Sequence, residues 1–216
     1  MNYTLYYSPG ACSMAVHIAL EELGVAYELE AVPIAQGATQ QQAYLSINPK
    51  GRVPALRLPG ETSVLTELPA ILTYLARQHP AAGLLPVNDA AGEARCHEWL
   101  AWLVGWIHAI GYGEIWRPAR FTGIEANHDE IRANGKQVVL DAYAKIEAAL
   151  ADGREWAVPG SYTIVDPFLL VLYAWGMRIG IDMRANYLAW SGHMQRSLAR
   201  PAVQRVLQRE GIALAV

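Results

Sequence analysis

Cys12 stands where Tyr6-Tyr7-Ser8-Pro9-Gly10-Ala11-Cys12-Ser13 leaves a strand-like segment, passes a Pro-Gly turn and enters an amphipathic helical pattern. The first turn of a helix leaves N–H groups unpaired and carries the positive end of the dipole. That placement favours a thiolate and lowers a cysteine pKa from its free value of about 8.5. The competing reading is a small buried hydrophobe, the commonest fate of a free cysteine. A Cys-x-x-Cys redox pair is excluded, because Ala15 occupies the second position. A lone thiol that attacks a disulfide or an electrophile needs another thiol to resolve the product, so a small thiol cosubstrate is implied. Cys96 serves instead only if the fold brings it close.

Two further segments suit such a cosubstrate. In Gly51-Arg52-Val53-Pro54 a proline opens an apolar strand, a place it tolerates mainly at an edge because it has no N–H to donate. With a cis Val53-Pro54 bond, the Val53 backbone would face outward and pair with an extended peptide-like ligand; an ordinary trans proline entering a strand is the alternative. Thr66-Glu67-Leu68-Pro69 opens a helix with Pro69 in its first turn. The free N–H groups there can take a carboxylate, and Glu67 either binds an ammonium group or complements the dipole. Thiol centre, pairing edge and anion-plus-ammonium pocket together describe a site for a small acidic thiol peptide.

The elements that must position these groups change character along the chain. Tyr3 to Tyr7 reads as a strand; Cys12, Ala15, Val16, Ala19, Leu20 and Leu23 recur at helical spacing until Gly24, and Tyr27 to Val32 reads as a second strand. Gln36 to Ser46 holds a weak helix at best. Val53 to Leu58 and Thr62 to Leu65 flank Pro59-Gly60 as a hairpin, and Leu68, Ile71, Leu72 and Leu75 mark a closing helix. This βαβ-ββα order is thioredoxin-like in outline. Beyond His79-Pro80 and a linker over Ala81 to Asn88, everything reads as helix, with apolar stripes around Trp99 to Ile107 and Val138 to Leu150. A third helix, from about Thr163 to Met177, is apolar nearly all round and belongs at the centre of a bundle. Thr163-Ile164-Val165-Asp166 fits a capping box, which makes Asp166 structural. Helical pieces near Tyr187 to Ala199 and Pro201 to Arg209 end the chain. The fold class is α+β, with a thioredoxin-like domain over 1–80 and an all-helical domain over 89–216.

Composition narrows the partners. The chain has 216 residues, 53% hydrophobic and 17% charged, with a net charge of −3, so no basic excess exists to neutralise nucleic acid or a lipid surface. Cys12 and Cys96 are too few for a disulfide scaffold and point to a reducing compartment. The segment Met1-Asn2-Tyr3-Thr4-Leu5 has no basic or apolar leader character, and the longest apolar stretch, Phe168 to Met177, is about half a membrane span. A soluble cytoplasmic protein is expected.

These strings resemble the glutathione transferase superfamily, and the bacterial beta class most closely, over essentially the whole chain. The run from Tyr6 to Ser13 is similar to the class signature around its cysteine, and Ile47-Asn48-Pro49-Lys50-Gly51-Arg52-Val53-Pro54-Ala55-Leu56 to the segment holding the family's cis-proline. Leu65-Thr66-Glu67 with Ile71-Leu72-Tyr74-Leu75 resembles a third motif, and Thr163 to Asp166 with Trp175 the buried capping box and its following tryptophan. The resemblance implies a homodimer that uses glutathione as cosubstrate and no metal, conjugating it to hydrophobic electrophiles, exchanging disulfides through Cys12, or both. It implies that Cys12 faces the glutathione sulfur, that Val53, preceding Pro54, pairs with the cysteinyl backbone, and that Glu67 and the Leu68 backbone hold the γ-glutamyl end. His108 becomes a polar neighbour of the sulfur, and Tyr112, Trp116 and Trp175 line an apolar electrophile site. Ser13 or Tyr7 is the alternative donor to the thiolate. Ala101, Gly105, Ala109 and Leu68 replace polar residues of the pattern, and residues 36–42 contain no lysine. Each lost hydrogen bond to a charged group costs ~1.5 to 3 kcal/mol. That motivates the alternative of a non-catalytic ligand-binding or partner-docking module with weak glutathione affinity. A maleylacetoacetate isomerase fits less well, since that class carries serines and an arginine around the first helix, where this chain has Cys12 and Val16.

Overall fold

The computed structural model describes residues 2–214; Met1, Ala215 and Val216, at the ends of the expected spans 1–80 and 89–216, lie outside the described residues. Four strands, β1 (Tyr3–Tyr7), β2 (Tyr27–Ala31), β3 (Ala55–Arg57) and β4 (Val64–Thr66), form one sheet in the order β2-β1-β3-β4. β1 runs parallel to β2, with Leu5 opposite Leu29, and antiparallel to β3, with Leu5 opposite Leu56; β3 and β4 are antiparallel. Because side chains alternate along a strand, Leu5 and Leu56 pack with α1 (Ser13–Leu23) while Tyr6 and Ala55 join Val53 and Tyr44 in a separate small cluster. Tyr44 belongs to α2 (Gln42–Leu45), the one α-helical turn in the stretch read as weak helix. α3 (Leu68–Gln78) closes this half.

β3 and β4 are shorter than their hydrophobic runs predict. Pro54 has no N–H for the ladder, so β3 begins one residue after it. α1 stops where its pattern does, at Gly24 in the left-handed region (φ +63°), whose amide donates to the Glu21 carbonyl.

The remaining helices are α4 (Ala90–Trp102), a π-helical stretch over Leu103–Tyr112 that continues it, α5 (Gly113–Trp116), α6 (His128–Leu150), α7 (Asp166–Arg178), α8 (Met183–Asn186), α9 (Leu188–Leu198) and α10 (Pro201–Glu210). The π-helical stretch lies close against α6: a Cβ on Gly135 would stand 2.6 Å from the Gly111 carbonyl oxygen, so neither backbone could approach as it does with a larger residue at 135. α7 is buried along nearly its whole length. It starts at Asp166 rather than Thr163, and the acid half of the capping box is present, while the Thr163 hydroxyl takes the Val165 N–H at 3.4 Å in place of the Asp166 N–H. Asp166 Oδ2 accepts from the Thr163 N–H at 2.6 Å and the Thr163 hydroxyl at 3.2 Å, and Oδ1 accepts from the Ala157 N–H at 2.9 Å and pairs with His193 Nε2 at 2.7 Å. Such a fully buried carboxylate is tolerable only with partners of this kind.

α1 packs against α3 on the sheet side and against α7 and α10 on the helical side, so one apolar cluster runs from Leu5 through α1 to Phe168 and Tyr143. No helix among the described residues is long and apolar enough to cross a membrane.

Candidate active site

A cleft of about 350 Å³ opens between the sheet half and the π-helical stretch. Cys12, Val53, Pro54, Glu67 and Leu68 line it from one half, and His108, Tyr112 and Trp116 from the other. Trp175 and Cys96 do not.

Cys12 occupies the N-cap of α1, as its position in the sequence requires, yet it is a thiol rather than the thiolate predicted there. Its side chain is buried at 6% exposure, and its Sγ–H donates to the Val53 carbonyl at 3.4 Å. Burial pushes the thiol up to about 12, outweighing its own N–H, that of Ser13, and the charges of Arg117 and Arg52. The helix terminus therefore acts in the predicted direction and loses to desolvation. The alternative donors turn elsewhere: Ser13 Oγ donates to the Ser8 carbonyl and accepts from the Ser8 N–H, both at 3.2 Å, while Tyr7 packs edge-on to His17. Cys96 is fully buried on α4 and is no resolving thiol for Cys12.

The Val53-Pro54 bond is cis. The preceding carbonyl, of Arg52, is anchored by the Tyr44 hydroxyl and the Asn48 amide, each at 2.7 Å. Among the described residues the Val53 N–H meets no backbone acceptor, and its carbonyl holds only the Cys12 thiol. β3 is paired on both sides by β1 and β4, so Pro54 stands at a strand start and not at the expected sheet edge; the pairing groups that are free or weakly held belong to Val53, just before the strand. Glu67 has φ +69°, the one non-glycine among the described residues in the left-handed region. Such conformations persist where the surroundings impose them, commonly at ligand sites. It is the N-cap of α3, so the Leu68 N–H points out of the helix start without an intrahelical partner. The Glu67 carboxylate accepts from Lys50 Nζ at 2.7 Å in a pair that is half exposed on both sides, an arrangement worth about 0 to 1 kcal/mol and easily exchanged for a ligand.

On the opposite wall, the His108 ring lies 5.1 Å from Trp175 and 6.2 Å from Phe168. Burial, reinforced by Arg117, Arg52 and Arg120, holds its pKa down to about 4, so the imidazole is neutral at pH 7. Tyr112 presents its ring to the cleft and turns its hydroxyl away: the hydroxyl donates at 2.6 Å to Tyr143, which donates in turn to the Leu172 carbonyl. Trp116 stacks on Tyr112 at 4.6 Å. Trp175, expected on the electrophile wall, lies behind it at 5% exposure, and its indole N–H donates to the Gly10 carbonyl at 2.8 Å. The Gly10 N–H donates to Glu210 Oε2, also at 2.8 Å. The helical half thus holds the two peptide units on either side of Gly10, in the loop that presents Cys12. Gly10 itself needs the left-handed region, at φ +68°.

The sequence reading missed the charge of the cleft. Lys50, Arg52, Arg117 and Arg120 line it with Phe121, so the electrophile wall is not simply apolar. Residues 36–42 do not line the cleft, and on the sheet side its cations are Lys50 and Arg52. Both sit inside the cis-proline string, which signals the backbone and masks its side chains. Arg117 to Phe121 follows directly on Trp116, but no periodicity says which way that turn folds. Among the described residues no group of three or more His, Cys, Asp or Glu is placed to hold a metal.

A sheet half with a helix-start thiol and a free backbone segment before β3, fused through a common core to a helical half that completes the cleft, defines a two-part thiol-peptide-binding architecture. The family model for the glutathione S-transferase N-terminal domain matches residues 10–78. Glutathione S-transferase GstA of Escherichia coli O157:H7 is 31% identical over 210 residues, covering 96% of this chain and 98% of that protein. A glutathione transferase homologue from Sulfitobacter, solved with bound glutathione, superposes with a TM-score of 0.90 at 31% identity over 98% of this chain and 99% of that one. A bacterial beta class glutathione S-transferase from Sphingomonas chungbukensis gives a TM-score of 0.84 at 32% identity, covering 97% and 100%. The chain belongs to the glutathione S-transferase family.

Proposed function

We propose that this protein conjugates glutathione to small electrophiles, with Cys12 acting as a hydrogen-bond donor to the glutathione sulfur. The observation that carries this is the convergence of Cys12, the free Val53 N–H and the α3 N-terminus on one cleft with His108. Glutathione fits these groups. The Val53 backbone pairs with the cysteinyl unit, the N–H groups at Leu68 take the α-carboxylate, Glu67 exchanges Lys50 for the ammonium group, and Arg52 meets the glycyl carboxylate.

A thiol pushed up to about 12 keeps its proton at neutral pH. It is a poor nucleophile and a competent donor, and a donor at a thiolate lowers that thiolate's pKa. Pairing at Val53 takes the carbonyl that Cys12 now donates to, which frees the S–H for the incoming sulfur. Arg52 and Arg117 favour the anion, and neutral His108 adds no charge of its own. Disulfide exchange through a Cys12 mixed disulfide is on this reading the slower reaction. A beta-class homodimer in the cytoplasm completes the proposal, supported by the resemblance to that class and checked by light scattering of the purified protein.

The test is calorimetric titration with glutathione together with turnover of 1-chloro-2,4-dinitrobenzene. Binding at micromolar to millimolar glutathione is expected. Cys12→Ala should lose tenfold or more in kcat, while Cys12→Ser, which keeps a donor, should retain most of it. No heat at millimolar glutathione overturns the reading; equal rates in wild type and Cys12→Ala remove Cys12 from it.

A further inference from the structure

Arg117 and Arg120 lie on the turn after α5, and with Arg52 they bring three guanidinium groups to one cleft. Among the described residues none of the three forms a salt bridge, whereas Arg200, Arg205 and Arg209 at α10 are all paired with Glu21 or Glu22. Four cations, counting Lys50, face the single carboxylate of Glu67 on the cleft wall. This positive excess sits in a chain whose net charge is −3. A concave surface of one sign focuses the field and concentrates ions of the other. The arginines feel one another as well: burial, then Arg117 and Arg52, pushes the Arg120 pKa down.

Glutathione uses only part of this excess. Its ammonium and α-carboxylate go to Glu67 and the α3 N-terminus, and its glycyl carboxylate to Arg52, beside Val53 in the chain. Arg117 and Arg120 belong to the helical half, on the same turn as Trp116 and Phe121. Those two rings are 40% and 38% exposed. Gly113 lets Phe121 fold back toward α5, since a Cβ there would stand 3.2 Å from the ring. Aromatic surface and two unpaired guanidiniums thus share the part of the cleft left for the second substrate.

We propose that the second substrate is an electrophile carrying a carboxylate on an aromatic or similarly planar apolar body, with Arg117 and Arg120 holding the carboxylate and Trp116 and Phe121 the body. This rests on the glutathione transferase reading. With a chloronitrobenzoate, the glutathione sulfur forms a C–S bond at the chlorine-bearing carbon, the C–Cl bond breaks, chloride leaves with the electron pair, and the thiol proton passes to solvent. Arg117 and Arg120 act here on binding the carboxylate; the support that Arg117 gives the thiolate is the same for an acid and its neutral analogue and cancels in their ratio.

The test compares 4-chloro-3-nitrobenzoate with its neutral analogue 4-chloro-3-nitrobenzamide, each kcat/KM normalised to the uncatalysed reaction with glutathione at the same pH. Wild type should favour the acid at least tenfold by this measure, and the preference should shrink at high salt. Arg117→Gln/Arg120→Gln should bring the ratio to about one, and the Arg120→Gln single variant to an intermediate value, with folding checked by circular dichroism. A ratio near one in a wild type that binds glutathione and consumes both compounds overturns the proposal and leaves the transferase reading standing. A loss of glutathione affinity in the double variant equal to its loss of acid preference assigns the arginines to glutathione and also overturns it. Absence of glutathione binding in wild type defeats the transferase reading itself, and the proposal with it.

Discussion

The seam between α1 and α10 and the cleft beside it use the same residue types to opposite ends. In the seam, Arg200 pairs with Glu22, Arg205 and Arg209 pair with Glu21, and buried His17 bridges Glu210 at 2.8 Å and Tyr27 at 3.0 Å. In the cleft, Arg52, Arg117 and Arg120 have no such partners among the described residues, and His108 contacts only rings among those side-chain pairs described. Closed polar networks stabilise an architecture, because removing any member leaves another stranded. Open ones are held apart by the fold and await a ligand of opposite charge. Glu210 and Trp175 join the two regions through Gly10: the seam ends on the loop that starts the site.

That contrast can be broken most severely at the buried cap of α7. Asp166→Ala strands His193 and the Thr163 and Ala157 N–H groups, so urea denaturation should show a loss of about 3 to 5 kcal/mol. A loss below 1 kcal/mol would mean that these hydrogen bonds do not hold the start of α7. On the cleft side, Cys12 should resist alkylation. At pH 7.5 a thiol held at about 12 offers on the order of a thousandfold less thiolate than a free cysteine, so iodoacetamide should label it at least a hundredfold more slowly. Labelling at the rate of a free thiol would restore the helix-terminus thiolate.

His108 sharpens the comparison through pH. Its folded pKa of about 4 lies below the unfolded value near 6.5, so between the two the unfolded chain binds more protons. The associated stability is fully present above about pH 6.5 and is lost as pH falls toward 4. The loss should be on the order of 2 kcal/mol in wild type and absent from His108→Asn, so it should appear as a pH-dependent difference between their melts; parallel curves for the two would show that His108 is not desolvated. The smallest effect belongs to the junction. Trp175→Phe keeps the aromatic packing but removes the donor to Gly10, at a cost of about 1 kcal/mol in stability. Conjugation should slow by more than that stability change explains at temperatures where the variant is fully folded. An unchanged kcat would make Trp175 a packing residue only.

Much of this architecture was legible in the residue order. The 3.6-residue stripe from Cys12 to Leu23 with Gly24 behind it became α1, and the hydroxyl-to-acid spacing of Thr163 and Asp166 became the cap of α7. Val53, Pro54, Glu67 and Leu68 could be named because turn, proline and helix-start chemistry is local. Trp175 could not be placed the same way, because an all-apolar helix has no preferred face until its neighbours are known. Nor could the charged turn from Arg117 to Arg120, since exposed arginines satisfy no packing pattern that a sequence displays.

Cys12 divides the two kinds of information. Its neighbours in sequence determined that it would cap a helix, at the mouth of a site built for a thiol peptide, because backbone geometry and dipoles act over a few residues. Whether it carries a proton there was decided by the walls that close over it, among them Val53, 41 positions away in the chain, whose carbonyl accepts its S–H. The same distant packing gathered three arginines around it from two halves of the molecule. Desolvation and Coulomb energies depend on what surrounds a group in space, and only the folded chain supplies that.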